Sequence, residues 1–463
     1  MLAIGQIHRK EYELEPRIGS KKAGSQSIST NTQRNLQHTG EASRGTRSYT
    51  ANAASPQSKE KQPPVPVAIA EAPGRIHFLG EFSPNLNQKT EDQVQNNDSE
   101  SGLFLSAAID RFIHVAVSPR KDNSFRFYAA DLNERKRSTL VNLKYRREDR
   151  WANYLKPAIF LFMELGYPVK GLNFSFCGDI PQHIGLASST AIETAAATAL
   201  RSLFRYQIND MDMAEKLKDA HFAIFGNSTP LADYLVCLMA RKDQFLLFDS
   251  ANKDIKLIKS PFSRFRFLLV DSRVPRMGVE NEIASRKSDI KKGLELLSHR
   301  RPGSSYKDFA STDLLESLGN FPEQIRRRSM HIVDEIRRVN DAQDALQRSD
   351  LASLAKIIYH SHESLRDLYE ISCPEVDWLV KRAQEIEGSA GSRMTGVGFG
   401  GCTYTIIRRE LVEEYKKRLE EYERIFGFRP VIYEVKLATR ARVIPESSTE
   451  IRQKEAGTVK KGA

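Results

Sequence analysis

Four short stretches of this 463-residue chain carry residue types that could do chemistry. The first, GDIPQHIGLASSTAIET (178–194), passes through Gly185 and two serines into an alanine-rich run of helical spacing. A helix N-terminus presents unpaired N–H groups and a partial positive charge, which suit a phosphate. Small residues let the backbone come close, and Ser188 and Ser189 offer hydroxyls to phosphate or magnesium. The same residues also fit an ordinary strand-to-helix turn with Ser188 as the N-cap. There is no Gly-Lys-Ser/Thr ending, so this is not a Walker loop. Bulky, ionisable His183 stands two places before Gly185.

The second stretch, GSRMTGVGFGGCTY (391–404), sets Gly396, Gly398, Gly400 and Gly401 just before a strand-like run. Glycines at that density permit positive φ and close backbone approach, in a ligand loop or in a tight connection. The third, EAPGRIHFLGEFS (71–83), places Arg75 behind a Pro-Gly turn. A guanidinium fixed there suits an anionic transition state, and it equally suits a structural ion pair. The fourth, LADYLVCLMA (231–240), puts Asp233 in an otherwise apolar helical segment, where a carboxylate is either paired or functional.

Taken in order, the four stretches resemble the galactokinases, within the wider GHMP kinase superfamily, over about residues 70–440. The family's first motif is present as Ala72-Pro73-Gly74-Arg75 with Gly80-Glu81, and its PxGxGLSSSA motif as Pro181 through Ala191. Its third motif runs from Met394 through Cys402. SHESLRDLYEISCPEVDWL (361–379) and RRRSMHIVDEIRRVNDAQDAL (326–346) look like galactokinase specifically. The resemblance implies an ATP-dependent sugar-1-kinase acting on galactose or a related sugar. By the same resemblance, Asp233 would accept the proton of the anomeric hydroxyl, Arg75 would be its basic partner, and Glu81 and Asp233 would bind the sugar. Gly185, Leu186, Ser188, Ser189, Gly396, Gly398 and Gly400 would hold ATP, and Ser189 would ligate magnesium.

The departures from the family pattern cluster at the substrates. The family's GEHTDY is here GEFSPN, with Phe82 and Pro84 at the sugar-binding histidine and aspartate. Pro230 stands at a glycine, Ile283 at a sugar-contacting tyrosine, and His183 at a loop glycine. His221 takes the place of the magnesium-binding glutamate, although magnesium prefers oxygen ligands. These changes motivate a second reading, a catalytically weak sugar or ATP sensor of the same family.

The elements that must position these residues follow from hydropathy patterning. Strands are expected within 65–80, 102–119, 173–180, 265–272, 401–408 and 429–437. Helices are expected over 151–165, 190–206, 212–225, 323–347, 350–371, 374–387 and 410–425. Strands and helices mix without strict alternation, so the fold class is α+β. By resemblance it is a two-domain GHMP kinase fold, with a ribosomal S5 domain 2-like domain over 66–265 and a ferredoxin-like domain over 266–444. Residues 85–101 form a polar loop insertion, while 1–65 and 445–463 are expected to be disordered tails.

Composition excludes other classes. The net charge is +11, of which residues 1–60 carry +4 and residues 440–463 carry +3. The basic balance therefore belongs mostly to the tails, and nucleic acid is not the expected partner. No run of 18 apolar residues is present, so no membrane span is expected. The four cysteines form no CxxC pair, which points to a reducing cytoplasm and away from disulfides or zinc. The chain is expected to act as a monomer on a small sugar and ATP.

Overall fold

In the computed structural model, residues 66–80, 102–276 and 278–445 are described; the two tails, the 85–101 insertion and Glu81 lie outside them. The strands are β1 (Ala68–Leu79), β2 (Leu103–Pro119), β3 (Ser124–Ala129), β4 (Glu134–Thr139), β5 (Leu172–Gly178), β6 (Gln244–Asp249), β7 (Asp254–Lys259), β8 (Phe265–Asp271), β9 (Ser389–Thr395), β10 (Cys402–Arg408), β11 (Val431–Val435) and β12 (Arg442–Val443). The helices are α1 (Lys156–Glu164), α2 (Ser188–Phe204), α3 (Asp210–Phe225), α4 (Leu231–Met239), α5 (Glu280–Arg300), α6 (Ser311–Leu315), α7 (Glu323–Arg348), α8 (Leu351–Ser364), α9 (Pro374–Gln384), α10 (Val412–Leu419) and α11 (Glu421–Phe426).

β1 is buried along nearly its whole length, because the sheet and its neighbours cover both faces. It lies between β12 and β2 in a sheet ordered β12-β1-β2-β5-β3-β4, with β6 and β7 continuing from β2. Pro73 has no N–H to give to a ladder, and the register with β2 shifts between Pro73 and Gly74. β12 pairs with β1 only at Ala70 and Glu71, so beyond Pro73 the outer edge of β1 has no strand beside it.

The second sheet is antiparallel, in the order β11-β8-β10-β9. β8 reads FRFLLVD because both of its faces are covered. Leu268 and Val270 join a cluster with residues of α9, α10 and α11. Alternate residues Phe267 and Leu269 join the core of the first sheet. Phe78 at the end of β1 marks the junction, with ring centroids 4.6 Å from Phe245, 4.7 Å from Tyr404 and 5.9 Å from Phe267.

Most expected elements are present with shifted ends. The 151–165 helix is a 3-10 segment, Arg147–Leu155, running into α1. The 350–371 helix is α8 followed by a π turn, Leu365–Tyr369. The hairpins β3–β4 and β6–β7, the helix α5 and the strand β9 are additions to the expected set. Among the described residues, no helix is long and apolar enough to cross a membrane.

Candidate active site

Asp233 lies in the first turn of α4, where the helix dipole favours negative charge. Pro230 is the N-cap of that helix, a position that needs no N–H from it. Arg75 reaches Asp233 from β1 as a two-pronged fork, Nε to Oδ1 at 2.7 Å and Nη2 to Oδ2 at 2.8 Å. His77, two residues further along β1, donates from Nε2 to Asp233 Oδ1 at 2.8 Å. Its Nδ1 faces the Ser106 hydroxyl of β2 at 2.6 Å. All three charged or polar side chains are buried. Burial opposes charge on Asp233, but Arg75 and then His77 outweigh it and hold the carboxyl well below the usual carboxylate range. The result is a permanently ionised carboxylate with fixed orientation and a weak appetite for protons.

The serine-bearing turn folds back onto this pair. The Arg75 amide donates to Leu186 O at 3.1 Å, and Arg75 Nη1 donates to Gly185 O at 2.6 Å. Three alternate residues of the turn have positive φ: His183 at 63°, Gly185 at 87° and Ala187 at 58°. Ala187 is the N-cap of α2 and supplies no side-chain cap, so Ser188 is the first helical residue. This corrects the capping alternative: the first-turn N–H groups of α2 are left for another acceptor. The hydroxyls of Ser188 and Ser189 have no partner among the described residues. Leu186 is buried, and its carbonyl is taken up by the Arg75 amide.

The glycine turn meets the serine turn directly. A Cβ on Gly396 would stand 2.9 Å from Gly185 Cα, and one on Gly185 3.0 Å from Gly396 Cα, so neither position tolerates a side chain. Gly398 and Gly400 also have positive φ, at 87° and 110°. Arg276, after β8, spans the two turns, donating from Nη1 to His183 O at 3.1 Å and from Nη2 to Gly400 O at 2.6 Å. It makes no ion pair among the described residues, and burial lowers its pKa. A half-buried guanidinium without a counter-ion, set between two anion-ready turns, suits a polyphosphate.

His221 is not placed as a metal ligand, which corrects the sequence expectation. Its Nδ1 faces Glu193 Oε1 at 2.8 Å and its Nε2 faces Asn227 Oδ1 at 3.1 Å, so both ring nitrogens are spent on acceptors. Burial disfavours its charged form, but the hydrogen bond and charge of Glu193 prevail and raise the pKa. Tyr234 donates to the other Glu193 oxygen. Among the described residues no group of three or more His, Cys, Asp or Glu could hold a metal. The residues present do not form a protein cage for magnesium. They fit an ion carried by a nucleotide's own oxygens, with the Ser189 hydroxyl as the available protein oxygen.

The structure thus brings together Arg75, Asp233, Gly185, Leu186 and Gly396. Glu81, Phe82 and Pro84 lie outside the described residues, and Ile283 sits half-buried on α5. Sequence reasoning missed His77 and Arg276. His77 was findable, since β1 was expected as a strand and residues i and i+2 share a face. Arg276 carried no local signal.

Comparison with known proteins gives a consistent result. The family model described as GHMP kinases N terminal domain matches residues 153–241, and GHMP kinases C terminal matches 342–424. A Treponema pallidum (strain Nichols) protein provisionally named galactokinase is 39% identical over 386 residues, covering 82% of this chain and 93% of that one. The galactokinase of Roseiflexus sp. (strain RS-1) is 30% identical, covering 80% and 90%. Among solved structures, Lactococcus lactis galactokinase complexed with galactose matches with TM-score 0.73 at 22% identity, covering 81% of this chain and 95% of that one. Methanococcus jannaschii mevalonate kinase matches with TM-score 0.54 at 18% identity, covering 80% and 98%.

Proposed function

Because this chain belongs to the galactokinase family of GHMP kinases, we propose that its site moves the γ-phosphoryl group of ATP to the anomeric hydroxyl of galactose or a closely related sugar. The observation that carries the reading is the buried Arg75–Asp233 fork, tied through Gly185 to the start of α2 and the glycine turn.

In this reading the residues take the following roles. The first turn of α2 and the backbone of 396–401 receive the phosphates. Arg276 closes the two turns over them. Asp233 accepts a hydrogen bond from the sugar hydroxyl and orients its oxygen toward phosphorus. That oxygen forms the new P–O bond as the bond to ADP breaks, and the hydroxyl proton leaves through Asp233 late in the step, once the oxygen has become acidic. A carboxylate with a depressed pKa suits late acceptance, and phosphoryl transfer depends mainly on positioning and electrostatics. Arg75 keeps Asp233 ionised and offsets charge on the transferring group. Ser189 would offer its hydroxyl to a magnesium ion arriving with ATP, and such an ion would supply charge neutralisation at the phosphate oxygens.

One chain supplies every group this reading uses, so a monomer suffices. The four cysteines are free thiols, which fits the reducing, ATP-rich cytoplasm. The test is labelled-phosphate transfer from ATP across a panel of hexoses, comparing wild type with Asp233→Ala. Wild type should phosphorylate galactose or a near relative, and the variant should lose on the order of 10³-fold in kcat. Transfer that survives Asp233→Ala would remove the assignment. ATP binding without turnover on any sugar would favour the sensor.

A further inference from the structure

We propose that a cavity between the C-terminal half of α2, the start of α3 and β12 is a binding site for a phosphate group on a small molecule, separate from the phosphate turns. The cavity measures about 320 Å³, which leaves room for a small organic body beside a phosphate. Thr198, Arg201 and Ser202 of α2 form one wall, and Asp210 of α3 and the segment 440–443 form the others. Thr198 stands ten residues beyond Ser188, about 15 Å further along the helix. The site therefore does not depend on the sugar-kinase reading.

The charge around this cavity favours an anion. Three guanidinium groups meet there, and two carboxylates answer them. Asp210 is shared: its Oδ1 accepts from Arg201 Nη1 at 2.7 Å and its Oδ2 from Arg440 Nη1 at 3.0 Å. Arg442 Nε donates to Glu71 Oε1 at 2.7 Å, and the other oxygen of that carboxylate faces His114 Nδ1 at 3.4 Å. Arg201 Nη1 also reaches Ile208 O at 3.3 Å. Nε and Nη2 of Arg201 and Arg440, and both terminal nitrogens of Arg442, make no hydrogen bond among the described residues. Planar guanidinium donors match the oxygens of a phosphate.

Two further features mark a prepared site. Thr198 is 2% exposed, yet its hydroxyl has no partner among the described residues, and the residue lines the cavity. A buried hydroxyl left unpaired is destabilising, and a ligand oxygen in the cavity would pair it. The arginine-bearing segment is also fixed at its backbone. The Arg440 amide donates to Ala240 O at 3.0 Å, the Ala441 amide to Cys237 O at 2.6 Å, and the Ile444 amide to Ile69 O at 2.8 Å. Donors on a held segment need little ordering when the ligand arrives. Ala441 and Val443 offer apolar surface to the body that carries the phosphate.

Calorimetric titration of the full chain with inorganic phosphate, and with galactose 1-phosphate as the product of the proposed reaction, tests the site. Wild type, Arg440→Gln, Thr198→Val and Arg276→Met are compared at fixed ionic strength. Each is titrated alone and with a saturating non-hydrolysable ATP analogue and galactose. Wild type should bind with a Kd of about 1 mM or tighter under both conditions. Arg440→Gln should weaken binding about tenfold or more and Thr198→Val about fivefold, with ATP affinity kept within about twofold. Arg276→Met, which acts at the phosphate turns, should leave the binding seen with the analogue unchanged. If one of the two cavity variants does not fold, the other decides. Tighter binding of the ester assigns the site to a sugar phosphate, and equal affinities assign it to free phosphate. No binding to wild type with the analogue present, or binding there that Thr198→Val and Arg440→Gln leave intact, overturns the proposal. A wild type that binds phosphate at this cavity but transfers none from ATP defeats the kinase reading and leaves this one standing.

Discussion

Two buried histidines give the protein a pH dependence of opposite signs. His331 on α7 is wholly buried, with Nδ1 on the Ser364 hydroxyl at 2.8 Å and Nε2 without a partner among the described residues. Burial pushes its pKa down to about 3 from an ordinary 6.5. The unfolded chain binds the proton that the folded chain refuses, so the stability His331 contributes is complete above pH about 6.5 and is lost as pH falls towards 3. At pH 5 the loss should be about 2 kcal/mol. The pKa of His362 is lowered by burial too and acts in the same direction. His221 is the reverse case. Its folded pKa is raised, so its contribution is complete below about 6.5 and fades as pH climbs through the raised value. Urea midpoints taken from pH 5 to pH 8.5 should show His331→Gln flattening the acid side and His221→Gln flattening the alkaline side. An unchanged acid slope in His331→Gln would show that its burial is not what governs that limb.

At the scale of elements, the turns before α2 and after β9 act as one unit, because each glycine of the Gly185–Gly396 contact leaves room for the other's backbone. Gly396→Ala would need both a left-handed alanine and a Cβ 2.9 Å from Gly185 Cα. It should raise the KM for ATP at least about tenfold while the Asp233 fork stays intact, as read by an unchanged sugar Kd. Arg276→Met should do the same by removing the staple between His183 O and Gly400 O. His183→Gly, by contrast, removes a side chain from a φ of 63° and should raise stability by about 1 kcal/mol in a thermal melt without harming turnover. Much of this unit was legible beforehand: the small residues of both turns, the helix that follows the first, and the Arg75–Asp233 partnership through resemblance. What was not legible has physical causes. β9 reads SAGSRMT, too polar and too small for a strand pattern, because a Cβ on Gly391 would meet Ile358 Cδ1 at 2.8 Å and α8 packs flat on it. β4 reads ERKRST because it is an edge strand, where charges prevent pairing with other chains and hide the alternation. Arg276 acts through carbonyls 93 and 124 residues away, which no local pattern encodes.

At the scale of the whole molecule, the two-domain GHMP kinase fold is built around a single continuous core. Apolar residues of β1, β2 and α2 and the inward faces of β8 and β10 belong to one cluster, with Phe78 in contact with both sheets. The described residues also fall in one compact unit. Two lobes that share a core should unfold together, since opening either one exposes the apolar face of the other. The chain carries two tryptophans, one on each side of the junction. Trp151 packs on Phe176 of the first sheet at 5.3 Å, and Trp378 of α9 packs on Tyr422 at 5.6 Å. Trp151→Phe and Trp378→Phe each leave one fluorescent reporter, so guanidinium unfolding can be followed lobe by lobe. The two midpoints should coincide with each other and with far-UV circular dichroism. Phe78→Ala should cost about 3–5 kcal/mol and lower both midpoints in step. Midpoints that part by more than about 0.5 M, or a Phe78→Ala loss confined to one reporter, would mean that each lobe holds itself up. Coincident midpoints would mean that the Arg75–Asp233 fork, whose partners lie 158 residues apart, forms only when the whole core has closed.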